Sequence, residues 1–150
     1  MEASPKASVC EALTVARKDV FNPKSQAAIA PRHDRVRILL VEDDGMIAWL
    51  MSDTLIAMGY EVCGIAGFEE DAVAMAAREH PDLLLVDAHL EVGSGLGAVR
   101  RILLAGPVPH IFISGDKISA EHLSFGAVAL QKPFQDADLA RAINHVLFEH

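Results

Sequence analysis

Five short segments rich in apolar residues recur along the chain, and each is too short for a buried helix. Their Leu, Ile and Val content is typical of strands that are covered on both faces of a sheet. The segments predicted as strands are Ile38–Val41, Tyr60–Ile65, Leu83–Val86, His110–Ile113 and Ala127–Leu130.

Between these strands, apolar residues recur at the spacing of a helix face. The segments predicted as helices are Ile47–Met58, Glu69 to the residues before Pro81, Leu96–Leu103 and Leu139–Leu147. Gly59 closes the first helix, and three consecutive acids favour the N-terminus of the second. Glycines at positions 93, 95 and 97 mark a loop before the third helix.

The repeated strand–helix alternation predicts an α/β fold, in which a parallel sheet carries helices on both faces. Because parallel crossovers are right-handed, we expect a doubly wound, flavodoxin-like sheet of five strands in the order 2-1-3-4-5. Residues 115–131 leave little room between the last two strands. The fourth helix is therefore expected to be short or replaced by a loop.

Residues 1–35 differ from the rest and are predicted to form an N-terminal extension ahead of a domain at residues 36–150. A capping box from Ser8 to Glu11 and helical spacing up to Val20 favour a short helix, with a linker after it. A disordered tail is the alternative, because isolated helices of this length are marginal. The extension has a charge balance of +2 and the remainder a balance of -10.

Composition narrows the class of protein further. The chain has 150 residues, of which 51% are hydrophobic and 23% charged, as in a soluble domain with one core. No apolar stretch suits a bilayer span or a secretory signal, and two cysteines are too few for a disulfide framework. We therefore expect a cytoplasmic protein without membrane insertion. The acidic body argues against nucleic acid as a partner.

Acidic side chains stand where two predicted strands end. Glu42 and Asp43 follow the first strand, and Asp87 follows the third. In the expected order these two strands are neighbours, so the three carboxylates share one crevice at the carboxyl edge of the sheet. Three like charges this close require either a proton or a cation. Mg²⁺ is the natural occupant because it prefers oxygen ligands and carboxylates.

Two further strand ends carry a hydroxyl, Ser114, and an ammonium group, Lys132. Each residue also has a simpler interpretation. Asp87 could cap the next helix, and the acids after the first strand could favour the N-terminus of a helix that Asp44 caps. Ser114 could close a turn, and Lys132 could lie on the surface. Their joint placement at four strand ends favours a functional site.

The motifs at these strand ends resemble those of the receiver domains of two-component response regulators. The matching segments are Leu40–Asp44, Leu85–Asp87, Ile113–Gly115 and Gln131–Phe134. The resemblance implies that Asp87 is the phosphoacceptor. It also implies that Asp43 binds Mg²⁺ directly and Glu42 through water, and that the backbone carbonyl of His89 is a further ligand.

The resemblance assigns the remaining two residues to the phosphoryl group. Ser114 matches the Ser/Thr that hydrogen-bonds a phosphoryl oxygen, and Lys132 matches the Lys that pairs with it. The Lys132–Pro133 bond is expected to be cis. Phe112 to Gly115 and the short connection after them are similar to the FAT GUY subgroup of stand-alone receivers. The chain departs from the family at Ala129, where an aromatic residue is common.

The expected function is that of a single-domain response regulator. A sensor histidine kinase or phosphotransfer protein would phosphorylate Asp87 in a Mg²⁺-dependent reaction, and the protein would slowly dephosphorylate itself without being an enzyme otherwise. Because the sequence stops at His150, output through protein contacts is expected. The alternatives are an interaction module independent of phosphorylation and a Mg²⁺-dependent phosphohydrolase, which usually has an acid where His89 stands.

Overall fold

The computed structural model describes residues 35–116 and 128–149, which form five strands and four helices. The strands are β1 (Arg37–Val41), β2 (Glu61–Ala66), β3 (Leu83–Asp87), β4 (His110–Ser114) and β5 (Val128–Gln131). The helices are α1 (Gly45–Ala57), α2 (Glu69–Glu79), α3 (Gly95–Leu103) and α4 (Asp136–Phe148). None of these four helices has the length and apolar character needed to cross a bilayer.

The strands pair in parallel in the order β2-β1-β3-β4-β5, which confirms the predicted doubly wound, flavodoxin-like sheet. The strands and helices predicted for the described residues are present, with small shifts at their ends. Gly95 and Gly97 are an exception, because they belong to the first turn of α3 and not to the loop before it. The predicted extension before Arg35 lies outside the described residues, as do residues 117–127, where the fourth helix is expected to be short or missing.

The sheet is buried on both faces because consecutive residues of each central strand enter different cores. Ile38 of β1, for example, packs in the core that contains residues of α1 and α4. Leu39, the next residue, packs in the core that contains residues of α2 and α3. This arrangement explains why β1 and β3 are uninterrupted apolar runs, and it brings their carboxyl ends side by side.

Helix α1 begins at Gly45, after the three consecutive acids Glu42 to Asp44. Asp44 caps it, since its carboxylate accepts hydrogen bonds from the backbone N–H groups of Met46 at 2.9 Å and Ile47 at 3.1 Å. The capping interpretation is therefore confirmed for Asp44. Glu42 and Asp43 occupy the short turn between β1 and this cap.

Helix α1 carries apolar side chains on two sides. Ala48 and Leu55 point into the core, as a helix packed on a sheet requires. The opposite side is also largely apolar but faces solvent, and Trp49 there is 63% exposed. The exposed large apolar residues of this helix are Met46, Ile47, Trp49, Leu50 and Ile56.

Candidate functional site

Three carboxylates converge at the carboxyl edge of the sheet. Glu42 and Asp43 follow β1, and Asp87 is the last residue of the neighbouring strand β3. One carboxylate oxygen from each lies within 4.8 Å of the others. Glu42 is only 7% exposed and Asp87 only 8%, whereas Asp43 is half-buried. The structure therefore brings together the acids that the sequence places in one crevice.

Asp87 has a different partner for each of its carboxylate oxygens. Oδ1 accepts a hydrogen bond from the backbone N–H of His89 at 2.9 Å. Oδ2 lies 3.5 Å from Nζ of Lys132, whose side chain is about one-third exposed. Lys132 therefore reaches the crevice from the end of β5 and does not simply point into solvent. The capping interpretation of Asp87 is also excluded, since Ser94 is the cap of α3.

The two acids after β1 are fixed by backbone amides. An oxygen of Glu42 accepts a hydrogen bond from the N–H of Asp44 at 3.1 Å. Oδ2 of Asp43 accepts one from the N–H of Glu91 at 2.7 Å, which links the turn after β1 to the loop that follows Asp87. This second contact joins residues 48 positions apart in the sequence. It ties the half-buried acid of the crevice to the loop after β3.

Ser114 and Lys132 meet through the β4–β5 pairing. The backbone N–H of Lys132 donates to the carbonyl oxygen of Ser114 at 2.8 Å. Ser114 is buried, and its hydroxyl oxygen accepts the N–H of Asp116 at 3.0 Å, as a turn hydroxyl would. Its own hydrogen remains a donor, because a hydroxyl donates as well as accepts. The Lys132–Pro133 bond is cis, as the resemblance implied.

His89 lies at the rim of the crevice. Its imidazole is 69% exposed, and Nε2 lies 3.9 Å from a carboxylate oxygen of Asp116. The backbone N–H is the part of His89 that contacts Asp87. The assignment of its carbonyl oxygen as a metal ligand stays a prediction.

The crowded charges alter the protonation of Glu42. The pKa of Glu42 is raised to about 7, chiefly by burial; the negative charge of Asp87 contributes in the same direction, and the hydrogen bond from the N–H of Asp44 opposes the rise. The positive charge of Lys132 also opposes it. The crevice without a metal ion therefore holds a carboxyl group that titrates near neutral pH.

Metal-free protein should lose stability as the pH rises from about 4.5, the ordinary pKa of a Glu side chain, to about 7. In that range the folded protein keeps the proton of Glu42 and the unfolded chain releases it, so deprotonation favours unfolding. The loss attributable to this residue is at most about 3 kcal/mol. Urea unfolding in the presence of a chelator measures it.

Glu42→Gln is the control for this pH dependence, because the amide has a similar shape and does not titrate. The difference in unfolding free energy between wild type and the variant should change over the same pH range. An unchanged difference from pH 4.5 to 7 would show that the pKa of Glu42 is the same in the folded and the unfolded protein, about 4.5.

The donor set suits Mg²⁺. Within residues 35–116 and 128–149, Glu42, Asp43 and Asp87 are the one group of His, Cys, Asp or Glu side chains close enough to share an ion. All three offer oxygen atoms, which Mg²⁺ prefers over nitrogen or sulfur. Two of them are buried, so a cation would relieve repulsion that solvent screens poorly. The residues present therefore fit the expected metal.

Sequence reasoning missed the contacts that hold the loop after β3. Gly95 packs against the strand end, and a Cβ there would lie 2.0 Å from the carbonyl oxygen of Asp87. The glycine cluster before Leu96 was a usable signal, because glycine permits close approach of two backbones. The contact of Glu91 with Asp43 had no signal in the sequence, since backbone N–H groups are present at nearly every residue.

Fold and site together define a flavodoxin-like α/β domain with an acidic, lysine-containing crevice at its topological switch point. The family model described as "Response regulator receiver domain" matches residues 38–144. The chain belongs to this family, and the predicted resemblance is confirmed. The phosphoacceptor role in signalling that the resemblance implied is likewise supported by the receiver-domain relatives.

Two curated relatives illustrate the similarity. The chain is 34% identical over 115 residues to the phyllosphere-induced regulator PhyR of Methylorubrum extorquens, a match that covers 74% of this chain and 43% of PhyR. It is 27% identical over 115 residues to the chemotaxis protein CheY of Thermotoga maritima, covering 73% of this chain and 96% of CheY. The chain thus spans less than half of PhyR but nearly all of CheY.

Solved structures agree with the observed fold. The receiver domain of PhyR from Erythrobacter litoralis superposes with a TM-score of 0.65 at 31% identity, covering 77% of this chain and 92% of that one. The chemotaxis protein CheY4 of Vibrio cholerae gives a TM-score of 0.68 at 25% identity, covering 75% and 99%. Each of these two matches covers about three quarters of this chain.

Proposed function

We propose that Asp87 is the residue that accepts the phosphoryl group, from the phosphohistidine of a sensor kinase or of a phosphotransfer protein. The observation that carries the proposal is the position of Asp87, buried beside two other carboxylates and 3.5 Å from Nζ of Lys132. A buried carboxylate with a cationic partner is suited to nucleophilic attack on phosphorus.

The transfer is a single displacement at phosphorus. A carboxylate oxygen of Asp87 forms a bond to phosphorus while the bond from phosphorus to the donor nitrogen breaks. The released imidazole keeps the electron pair and takes a proton from solvent. We assign to Lys132 the pairing of a phosphoryl oxygen and to Ser114 the donation of its hydroxyl hydrogen to another. Such preorganised charges and donors are the main contribution of proteins to phosphoryl transfer.

Mg²⁺ completes the charge balance of the proposed site. Glu42, Asp43 and Asp87 would hold it, together with the backbone carbonyl of His89. When bound, the ion neutralises negative charge on the phosphoryl oxygens. The protein supplies the fixed positions: Asp44 and Glu91 hold the first two carboxylates through their backbone N–H groups.

The proposed output is a change in protein contacts. An aspartyl phosphate brings up to two negative charges and three acceptor oxygens into the crevice, enough to bias neighbouring loops. Ala129, on the exposed side of β5, replaces the aromatic residue that often couples this change to the surface. PhyR from Bartonella quintana, a protein of which this chain covers about half, is described as an anti-anti-sigma factor. That description implies an output through contact with another protein.

Residues 36–150 form the proposed receiver domain, and residues 1–35 the proposed extension. Several relatives are named protein-glutamate methylesterases, but the match covers only 26% to 32% of the first two of them. The methylesterase activity named for these relatives is therefore not assigned to this chain, which we propose to act as a phosphoacceptor that slowly hydrolyses its own phosphate.

The proposal is tested with the wild-type protein, Mg²⁺ and acetyl phosphate. Intact mass should show one added phosphoryl group that is lost in base, and peptide mapping should place it on the peptide containing β3. Omission of Mg²⁺ with a chelator present should prevent the modification. A phosphoryl group on another peptide, or none, would contradict the proposal. Sustained release of phosphate from several phosphate esters would instead identify a hydrolase.

A further inference from the structure

The loop after Asp87, residues 88–94, is called the acceptor loop here. The backbone N–H of Gly95 donates to the carbonyl oxygen of Ala88 at 3.1 Å, and His89 and Ser94 form an antiparallel bridge. The loop is therefore closed at its base. Its outer part, around Glu91, contributes the N–H that binds the carboxylate of Asp43.

Glu69, the first residue of α2, contacts the acceptor loop at two points. Its carboxylate oxygen Oε1 accepts the N–H of Ser94 at 3.0 Å, and its own N–H donates to the carbonyl of Val92 at 3.3 Å. Gly93 lies against the same side chain, since a Cβ at that position would be 2.5 Å from Cβ of Glu69. Three consecutive residues of the loop, Val92 to Ser94, therefore contact Glu69.

Arg101 of α3 fixes the other oxygen of this carboxylate. Its Nη1 lies 3.2 Å from Oε2 of Glu69, and the Glu69 side chain is only 22% exposed. The same guanidinium also pairs with Glu70 at 2.7 Å, but Glu70 is largely exposed and no hydrogen bond of it to the loop is seen among the described residues. Two neighbouring acids therefore share one arginine while only Glu69 is bound to the loop.

We propose that Glu69 is a positioning residue for the metal site. By accepting the N–H of Ser94, its carboxylate keeps the acceptor loop in the position where the N–H of Glu91 binds Asp43 and where the backbone of His89 lies beside Asp87. Substitution of residues that orient metal ligands from outside the coordination sphere commonly weakens metal binding by about tenfold or more. The inference rests on the proposed function, because it assumes that Mg²⁺ binds in this crevice.

The alternative role for Glu69 is a general one, the stabilisation of the N-terminus of α2 by a negative charge. Glu70 shares that role, occupies the next position and binds the same arginine. Glu70→Ala is therefore a matched control: it removes an N-terminal charge and one ion pair of Arg101 but no contact with the acceptor loop.

Two measurements on Glu69→Ala test the proposal. Calorimetric titration with Mg²⁺ should show binding weakened roughly tenfold relative to wild type. Amide hydrogen exchange of metal-free protein should be faster in residues 89–94 and unchanged in β1 and β3. Glu70→Ala should match wild type in both. Glu69→Gln keeps an oxygen acceptor for Ser94 and should restore most of the Mg²⁺ affinity.

The proposal is overturned if Glu69→Ala leaves loop exchange unchanged, or if Glu70→Ala weakens Mg²⁺ binding equally. If Glu69→Ala does not fold, Arg101→Ala is used instead, with Glu69→Gln as the control expected to resemble wild type. Wild-type Mg²⁺ affinity and loop exchange in Arg101→Ala would then overturn the proposal. A wild-type protein that binds no Mg²⁺ would contradict the proposed function itself, whereas the exchange experiment needs no metal and tests the loop contact separately.

Discussion

Asp87→Asn is expected to abolish phosphorylation by acetyl phosphate and by a cognate kinase. Asn has nearly the same shape, but its amide lacks the nucleophilic charge that attack on phosphorus requires. The loss should be complete in an intact-mass assay at saturating Mg²⁺. Stability should not fall, because the substitution removes one of three crowded carboxylates and leaves the His89 N–H an oxygen acceptor.

Asp44→Asn is the matched control for this experiment. Asp44 belongs to the same acidic run, but its side chain only caps α1, and Asn is an equally good cap. Its backbone N–H, which holds Glu42, is unaffected by the change. Normal phosphorylation of this variant with none in Asp87→Asn assigns the reaction to the β3 carboxylate. A phosphoryl group that persists in Asp87→Asn would show that another residue accepts it.

Gly95→Ala is expected to cause the largest structural damage of any single methyl group added near the crevice. The new Cβ would lie 2.0 Å from the carbonyl oxygen of Asp87 and 2.7 Å from a methyl group of Val86. Neither atom belongs to a flexible side-chain end, so strand and helix must separate. We expect a loss of about 3 kcal/mol in urea unfolding. The initial rate of phosphorylation should fall by roughly 10² because the acceptor is displaced.

Gly45→Ala provides the comparison. Gly45 is the first residue of α1, as Gly95 is of α3, but nothing lies within 4 Å of a Cβ built on it. This substitution should leave phosphorylation unchanged and raise stability by about 0.5 kcal/mol, through the lower entropy of the unfolded chain. Equal effects of the two substitutions would mean that Gly95 matters for helix formation and not for contact with the acceptor strand.

The sequence predicted the parts of the fold that depend on local pattern. Strands such as Leu83–Val86 are buried on both faces, so they consist of consecutive apolar residues. A carboxylate after the last apolar residue marks the end of the strand in the sequence. Parallel topology then placed Asp87 beside Glu42 and Asp43, because strand ends at one edge must meet. The cis bond at Lys132–Pro133 followed from the family resemblance and not from any pattern in the residues.

The contacts around the acceptor loop could not be predicted in the same way. Glu69 and Ser94 are 25 positions apart, and Glu69 and Arg101 are 32 apart. Three acids at the start of a helix look alike in a sequence, and only the packing of α2 beside α3 distinguishes Glu69 from its neighbours. Gly95 is a related case, because a glycine indicates that two backbones can approach closely but not which backbone it contacts.

The exposed apolar side of α1 gives the protein an intrinsic optical reporter. Trp49 stands there, largely in water, and it is the one tryptophan of the chain. An apolar partner surface over an indole shifts its fluorescence to shorter wavelength. Binding of a protein to this side of α1 can therefore be followed by the tryptophan emission spectrum without a label. A protein that binds the opposite side of the sheet should leave that spectrum unchanged.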